Sequence, residues 1–206
     1  MNNYPFDTNG LCAADVDSFQ ETYNCVKTKL NIALTGNIDF QLAQFEVFKG
    51  YAGINLRGSF VIKHLDNNSY LLFIENHYKT AGVNSRVADC FECQTWALAY
   101  LKKNFGRVLI RRETLADKFI ELMHPVELDF KEDKPFSDTF YVLVNDHQKA
   151  VSAIDRNFRN AVMDIRGDDF IIEIVDHTLI IGNHKPVTAE KAIYLAEFVA
   201  RVSSMC

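Results

Sequence analysis

The strongest constraint on this chain is an alternating apolar stretch, a polar turn and a second apolar stretch that returns from it. Phe60, Ile62 and Leu65 alternate with other residues, Asp66-Asn67-Asn68-Ser69 follows, and Tyr70-Leu71-Leu72-Phe73-Ile74 comes back. Strand side chains alternate between two faces, and Asp, Asn and Ser bond their own backbone in turns, so the pattern predicts a β-hairpin. Phe170 to Val175 and Thr178 to Ile181 repeat it across Asp176-His177. Strands joined by so short a connection pair antiparallel.

Helical spacing supplies the other half. Residues 14–34 place Val16, Phe19, Tyr23, Val26, Leu30 and Ala33 three and four positions apart, which predicts an amphipathic helix. Ser18 and Glu21 have the spacing of a capping box, and the start can lie a turn earlier. The alternating steps are also those of a coiled-coil seam, so the stripe packs either on the protein's own sheet or between subunits. Thr114 and Asp117 open a helix running to Met123. Asn145 or Asp146 caps another, to about Ile165, with Ala150, Ile154, Phe158, Ala161 and Ile165 on one face. Pro186 and Thr188 introduce a last helix from Ala189 to Ser203.

Further strands are expected across 44–78, beginning with Phe45 and Val47. Gly50, Gly53 and Gly58 break or bulge that stretch and permit close backbone approach. Val108-Leu109-Ile110 reads as a short buried strand, Val126, Leu128 and Phe130 as a half-buried one, and Thr139 to Val144 as a central one. Residues 79–86 read as a loop. Residues 90–104 permit a helix through Trp96, Ala99 and Leu101, capped by Gly106, or a strand through Phe91, Cys93 and Thr95. We read them as helix. The class is α+β, a mainly antiparallel sheet with flanking helices and an N-terminal amphipathic helix. The expected division is an N-terminal helical segment, 1–40, and an α+β domain, 41–206, with no linker-like stretch in the latter.

A chain of 206 residues that is 48% apolar can bury a core without disulfides or metal. Its sixteen Phe point to a well-filled core or an aromatic-lined groove. A net charge of −5 repels phosphate backbones, and Lys102, Lys103, Arg107, Arg111 and Arg112 read as solvated surface, so no nucleic-acid partner is expected. No apolar run nears the ~20 residues of a membrane span, so no transmembrane segment is expected. The first residues, Met-Asn-Asn-Tyr-Pro-Phe-Asp, lack the basic start and apolar stretch of a signal peptide. A cytoplasmic location follows, and the scattered Cys12, Cys25, Cys90, Cys93 and Cys206 suit a reducing compartment.

No motif carries recognisable chemistry. Cys90-Phe91-Glu92-Cys93 has no second ligand pair for zinc, and nothing in the spacing brings the distant His77 or His124 to complete a site. A redox pair would sit at a helix N-terminus, which Cys90 occupies only if 90–104 is helical, and Glu92 disfavours a thiolate there. His64, His77, His124, His147, His177 and His184 have no metal-site spacing, and His64 reads as a core histidine. The glycines of 50–58 fit no phosphate loop. Arg111 and Arg112 point to opposite faces and pair most simply with Glu113 or Asp117. Asp164, Asp168 and Asp169 lack the ligand alternation of a calcium loop. No catalytic residue, cofactor or metal ligand is therefore assigned.

Three stretches carry a resemblance. They are Phe105-Gly106-Arg107-Val108-Leu109-Ile110-Arg111-Arg112-Glu113, then Pro135-Phe136-Ser137-Asp138-Thr139-Phe140-Tyr141-Val142, then the helix starting at Asp146. Together they resemble an uncharacterised bacterial domain family of unknown function over about 105–182, and the resemblance implies no activity. Two functions are expected. The favoured one is a non-enzymatic protein-binding or adaptor domain, with a protein partner or self-association through the 14–34 helix. The alternative is a small hydrolase or transferase using Cys90 or Cys93 as nucleophile and a histidine as base.

Overall fold

Both hairpins form, the second across Asp176-His177 as expected and the first with Asn68 and Ser69, expected in its turn, already in the returning strand opposite Lys63 and Ile62. The computed structural model describes residues 4–36, 38–63, 68–81, 87–112 and 125–205. In chain order the elements are α1 (Ala13–Lys29), β1 (Ile32–Leu34), β2 (Gly53–Lys63), β3 (Asn68–Ala81), β4 (Val87–Tyr100), β5 (Arg107–Arg112) and β6 (Val126–Glu127). There follow α2 (Lys134–Ser137), β7 (Phe140–Val144), α3 (His147–Ala153), α4 (Arg156–Asp164), β8 (Ile171–Val175), β9 (Thr178–Gly182) and α5 (Ala189–Met205). β2 and β3 pair antiparallel from Lys63↔Asn68 outward, and β8 and β9 from Val175↔Thr178. Asp176 takes φ 53 in the second turn, a left-handed conformation that Asp tolerates better than most residues.

Among the described residues, all the strands lie in one nine-stranded sheet of order β1-β2-β3-β4-β9-β8-β5-β7-β6, and every pairing is antiparallel. With helices on one face, the protein is α+β. α5 lies across β3, β4 and β9 and meets α1 and α4. That face buries Phe19, Phe60, Phe73, Ala97, Phe158, Leu195 and Val199. The opposite face carries Tyr70, Leu72, Trp96, Leu98 and Ile180, covered by a strap that brings Phe40, Phe45 and Phe48 down on them. No helix among the described residues is long and apolar enough to cross a membrane.

Residues 90–104 correct the helix expectation, because they belong mostly to strand β4, which pairs with β3 from Ser69↔Ala99 to Ala81↔Val87. Cys93, Ala97 and Ala99 enter the helix-side core, while Trp96 and Leu98 enter the strap-side core. A strand buried on both faces loses the apolar–polar alternation that marks a half-buried one. Gly106 caps no helix. It sits at φ 67 in the turn into β5, where its N–H donates to Asn104 Oδ1 at 2.8 Å.

Phe45 and Val47 were expected in a strand and instead fall in or beside two single 3₁₀ turns, Leu42–Gln44 and Glu46–Phe48. The cause is tertiary. The fully buried carboxylate of Glu173, on β8, accepts the backbone N–H groups of Glu46 (2.9 Å) and Val47 (3.0 Å) and an Nη1–H of Arg107 (3.1 Å). One side chain thereby pins the strap to the sheet.

The first helix stops at Lys29 rather than 34, and Ile32–Leu34 pair with β2 instead. Its N-cap is Cys12, and Ser18 and Glu21 lie inside the helix, so they form no capping box. Its apolar stripe is covered by the chain's own core, with Phe19 and Val26 buried and Val16, Tyr23 and Leu30 packed beside them. The helix expected to run to Ile165 is two helices. Asp146 caps α3 by accepting from Lys149 N, and Asp155 caps α4 by accepting from Phe158 N. A second good N-cap gives the chain a place to restart, and Ala150, Ile154, Phe158 and Ala161 still reach the core.

The ladder with β7 covers Val126–Glu127 of the expected half-buried strand, Leu128 N still donates to Val142 O at 2.9 Å, and Leu128 and Phe130 are buried. β7 is not central, since among the described residues only the two-residue β6 lies beyond it. β3 runs to Ala81, so 79–81 are strand rather than loop. The helix expected over 114–123 and residues 82–86 lie outside the described residues. The last helix starts where expected, with Thr188 Oγ1 accepting from Lys191 N at 3.3 Å, and runs on to Met205.

Candidate functional site

At the β1 end of the sheet, β2 carries a bulge. Leu56 pairs with Ile74 and Gly58 with Phe73, which leaves Arg57 as the extra residue. Arg57 Nη2 meets Glu75 Oε2 at 2.6 Å, and its Nη1 meets Asp7 Oδ2 at 2.9 Å. Asn55 Nδ2 donates to the same buried Glu75 at 2.9 Å. Gly58 is required here, because a Cβ would lie 2.8 Å from Phe6 Cβ. The N-terminal segment therefore lies against the bulge, and Asp7 N donates to Arg57 O at 2.7 Å. The backbone N–H of Asn9, and then Arg57, hold the Asp7 carboxyl below its ordinary value.

This arrangement leaves a cleft along β2. A recess of about 720 Å³ lies among Tyr4, Phe6, Asp7, Leu34, Ile38 and Leu56. A second, of about 600 Å³, continues past Asp39, Phe40, Leu42 and Ile54, and the two share Ile38, Asp39 and Leu56. Three large apolar side chains stand open in it, Leu34 (61% exposed), Leu56 (38%) and Ile38 (37%).

The edge of the sheet is open at the same place. β1 pairs only with Phe60–Ile62, and beyond it Thr35 N donates to Ser59 O at 3.1 Å. Among the described residues, no backbone hydrogen bond outside the β2–β3 ladder reaches Gly53–Leu56. An apolar recess beside unpaired backbone groups has the two features by which a sheet takes up an extended segment.

The residues singled out by sequence are not brought together. Cys90 and Cys93 lie on a strand at odd spacing and so face opposite sides of the sheet. Burial, then the nearby Asp15, pushes the Cys93 thiol up to about 12, which keeps it protonated. Cys90 Sγ lies 3.5 Å from Thr80 Oγ1. Among the described residues, no histidine bonds to either sulfur. His77 Nε2 is 2.8 Å from Asp89 Oδ1, with its ring stacked on Phe91, and His177 Nδ1 is 3.2 Å from Leu101 O. His147 opens α3, and His64, His124 and Cys206 lie outside the described residues. No group of three or more metal-ligating side chains gathers among the described residues.

The basic cluster is largely engaged. Lys103 pairs with Asp155 (2.6 Å), Arg107 with Glu46 and Glu173 (3.1 Å each) and Arg112 with Asp169 (3.8 Å), while Arg111 lies over the Tyr141 ring. Asp164 pairs with Arg201, and Asp168 with Lys191 at 2.6 Å. Glu113 and Asp117, the expected partners of the strand-end arginines, lie outside the described residues.

Sequence reasoning missed a buried network on the strap side. Gln94 Oε1 accepts from Asn76 Nδ2 and Trp96 Nε1, both at 2.8 Å. Gln94 Nε2 donates to Tyr51 Oη (3.0 Å) and His184 O (2.5 Å), and Tyr51 Oη lies 3.2 Å from His184 Nδ1. Burial raises the Tyr51 phenol above its ordinary value, so it stays neutral. The network ties the end of the strap to the β9–α5 connection. We read it as structural. Reasoning from sequence also missed the cleft, although Gly58 had marked a site of close backbone approach.

No family model matches the chain and no curated protein matches it. Among solved structures, the chain is similar to the crystal structure of the mycobacterial trehalose monomycolate transport factor A, TtfA, with a TM-score of 0.57 and 10% identity, covering 90% of this chain and 92% of that one. The likeness is one of fold.

Proposed function

We propose that the protein is a non-enzymatic binding domain that docks an extended segment of a partner protein in the cleft along β2. The observation that carries this reading is the coincidence of three open apolar side chains, Leu34, Ile38 and Leu56, with the edge Gly53–Leu56, which is unpaired among the described residues. A soluble domain ordinarily protects such an edge or uses it. The raised thiol of Cys93 and the absence of a cysteine–histidine bond among the described residues count against the nucleophile alternative. The name of the fold neighbour, a transport factor, agrees with a role other than catalysis. The cysteines Cys12, Cys25, Cys90 and Cys93 are unpaired, which suits work in a reducing compartment such as the cytoplasm.

The test is photo-cross-linking with a benzophenone amino acid at Leu56, and at the exposed Tyr194 of α5 as a control. The reading predicts an adduct with one partner at Leu56 and none at Tyr194. The purified partner should then lose at least tenfold in affinity for Leu34→Asp and for Leu56→Asp. Unchanged affinity in both variants, with the fold intact, overturns it.

A further inference from the structure

We infer that the occupant of the cleft is a cationic, extended segment that adds as a strand to β2 over Gly53–Leu56. The inference rests on the proposed docking role and gives it a chemistry. Natural sheet edges are blunted by lysines, prolines, inward charges or covering elements. The exposed stretch here is Gly53-Ile54-Asn55-Leu56, with no lysine, no proline and no charge of its own. Nothing in that stretch repels an incoming strand, and the bulge at Arg57 ends it at a defined point. Strand side chains alternate, so every second residue of an added strand faces the apolar recess of Leu56, Ile54 and Leu42.

The charge of the lining selects the other residues. The two recesses are lined by the carboxylates Asp7 and Asp39 and by one cation, Arg57. Arg57 is already held by Asp7 and by the buried Glu75, so its charge is spent inside the protein. Asp39 is exposed and forms no ion pair among those described, its Oδ1 accepting only Gln41 N at 2.8 Å. The cleft therefore presents uncompensated negative charge beside apolar recesses on a chain of net charge −5. A segment alternating Lys or Arg with Leu, Ile or Val is the complement, and an acidic segment is repelled.

The experiment uses the full chain and two fluorescent eight-residue probes with the same Val/Ile alternation, one carrying lysines between them and the other glutamates. The lysine probe should bind with a Kd below about 1 mM, at least tenfold tighter than the glutamate probe. N-methylation of the amides along one edge of the lysine probe should weaken it at least tenfold, as strand addition requires. Asp39→Asn should weaken it about threefold, while Glu197→Gln, on the outer side of α5, should leave it unchanged. Equal binding of both probes, or indifference to N-methylation, overturns the inference and leaves a docking cleft of other chemistry. If neither probe shifts the methyl resonances of Leu34 and Leu56 and the photo-cross-linking also fails, the docking reading itself falls. A doubled mass in solution that Leu56→Lys returns to the monomer makes a second copy the occupant and likewise overturns the inference.

Discussion

Phe19 of α1 lies flat on Phe73 of β3, with ring centroids 4.4 Å apart and planes 2° from parallel. Phe6 meets both rings edge-on, at 5.7 and 5.6 Å. The apolar stripe of the first helix is thus spent inside the molecule. Phe19→Ala should cost about 3–5 kcal/mol by thermal or urea unfolding, the usual range for a buried Phe. The mass in solution should not change. If Phe19→Asp changes the mass and leaves the fold intact, the stripe is an interface after all.

The same contact bears on the N-terminal 40 residues. They supply α1 and β1, and their Phe6, Phe19, Val26 and Ile32 are part of the helix-side core. We expect a chain beginning at residue 41 to lose cooperative unfolding in calorimetry. A sharp transition at the full-length temperature would make 41–206 self-sufficient.

Glu173 makes a separable prediction about the strap. Removing the carboxylate strands the N–H groups of Glu46 and Val47 and leaves Arg107 with less compensation, so Glu173→Ala should cost about 3–5 kcal/mol. The single tryptophan, Trp96, has Phe48 of the strap edge-on at 5.0 Å, so its fluorescence reports strap release. The pH dependence follows from burial, which raises the Glu173 carboxyl above 4.5 despite the donors facing it. A carboxyl with a raised folded value binds its proton more tightly when folded. Its contribution is full below 4.5 and falls as pH rises through the folded value. The stability of wild type relative to Glu173→Gln should therefore decline as pH rises above 4.5 and then level off. A rise across that window contradicts the assignment.

Cys93 and Cys12 should differ in reactivity. The Cys93 thiol is buried and pushed up to about 12, whereas Cys12 is exposed at the start of α1. In the native protein at about pH 8, iodoacetamide should modify Cys12 and spare Cys93 until the chain unfolds. Native labelling of Cys93 at the rate of Cys12 would revive the nucleophile reading.

Gly182 of β9 sits across from Trp96 of β4, and a Cβ there would run into the indole. Gly182→Ala should destabilise by about 1–3 kcal/mol and shift the tryptophan emission. An unchanged emission would mean that the indole is free to move aside.

What was legible in the sequence depended on where the deciding interaction lies. Asp176-His177 joins its hairpin by local chemistry, and Asp146 caps its helix three residues away, so both could be read. The strand at 87–100 could not, because burial on both faces over Cys93–Ala99 erases the alternation there, and Gly106 sits where a helix cap would also fit. The strap could not, because Glu173, 127 residues beyond Glu46, decides its shape. The cleft is built from the segments around Asp7, Leu34 and Leu56, which only the fold brings together. Gly58 was its single local sign.

The most direct test of the central claim is amide hydrogen exchange at Gly53–Leu56, with and without a saturating lysine–valine–isoleucine probe. The account predicts that the outward amides of this stretch exchange fast in the free protein and at least tenfold more slowly in the complex. Amides of the β3–β4 ladder serve as the unchanged reference. Equal rates at Gly53–Leu56 in the free and bound protein would contradict it.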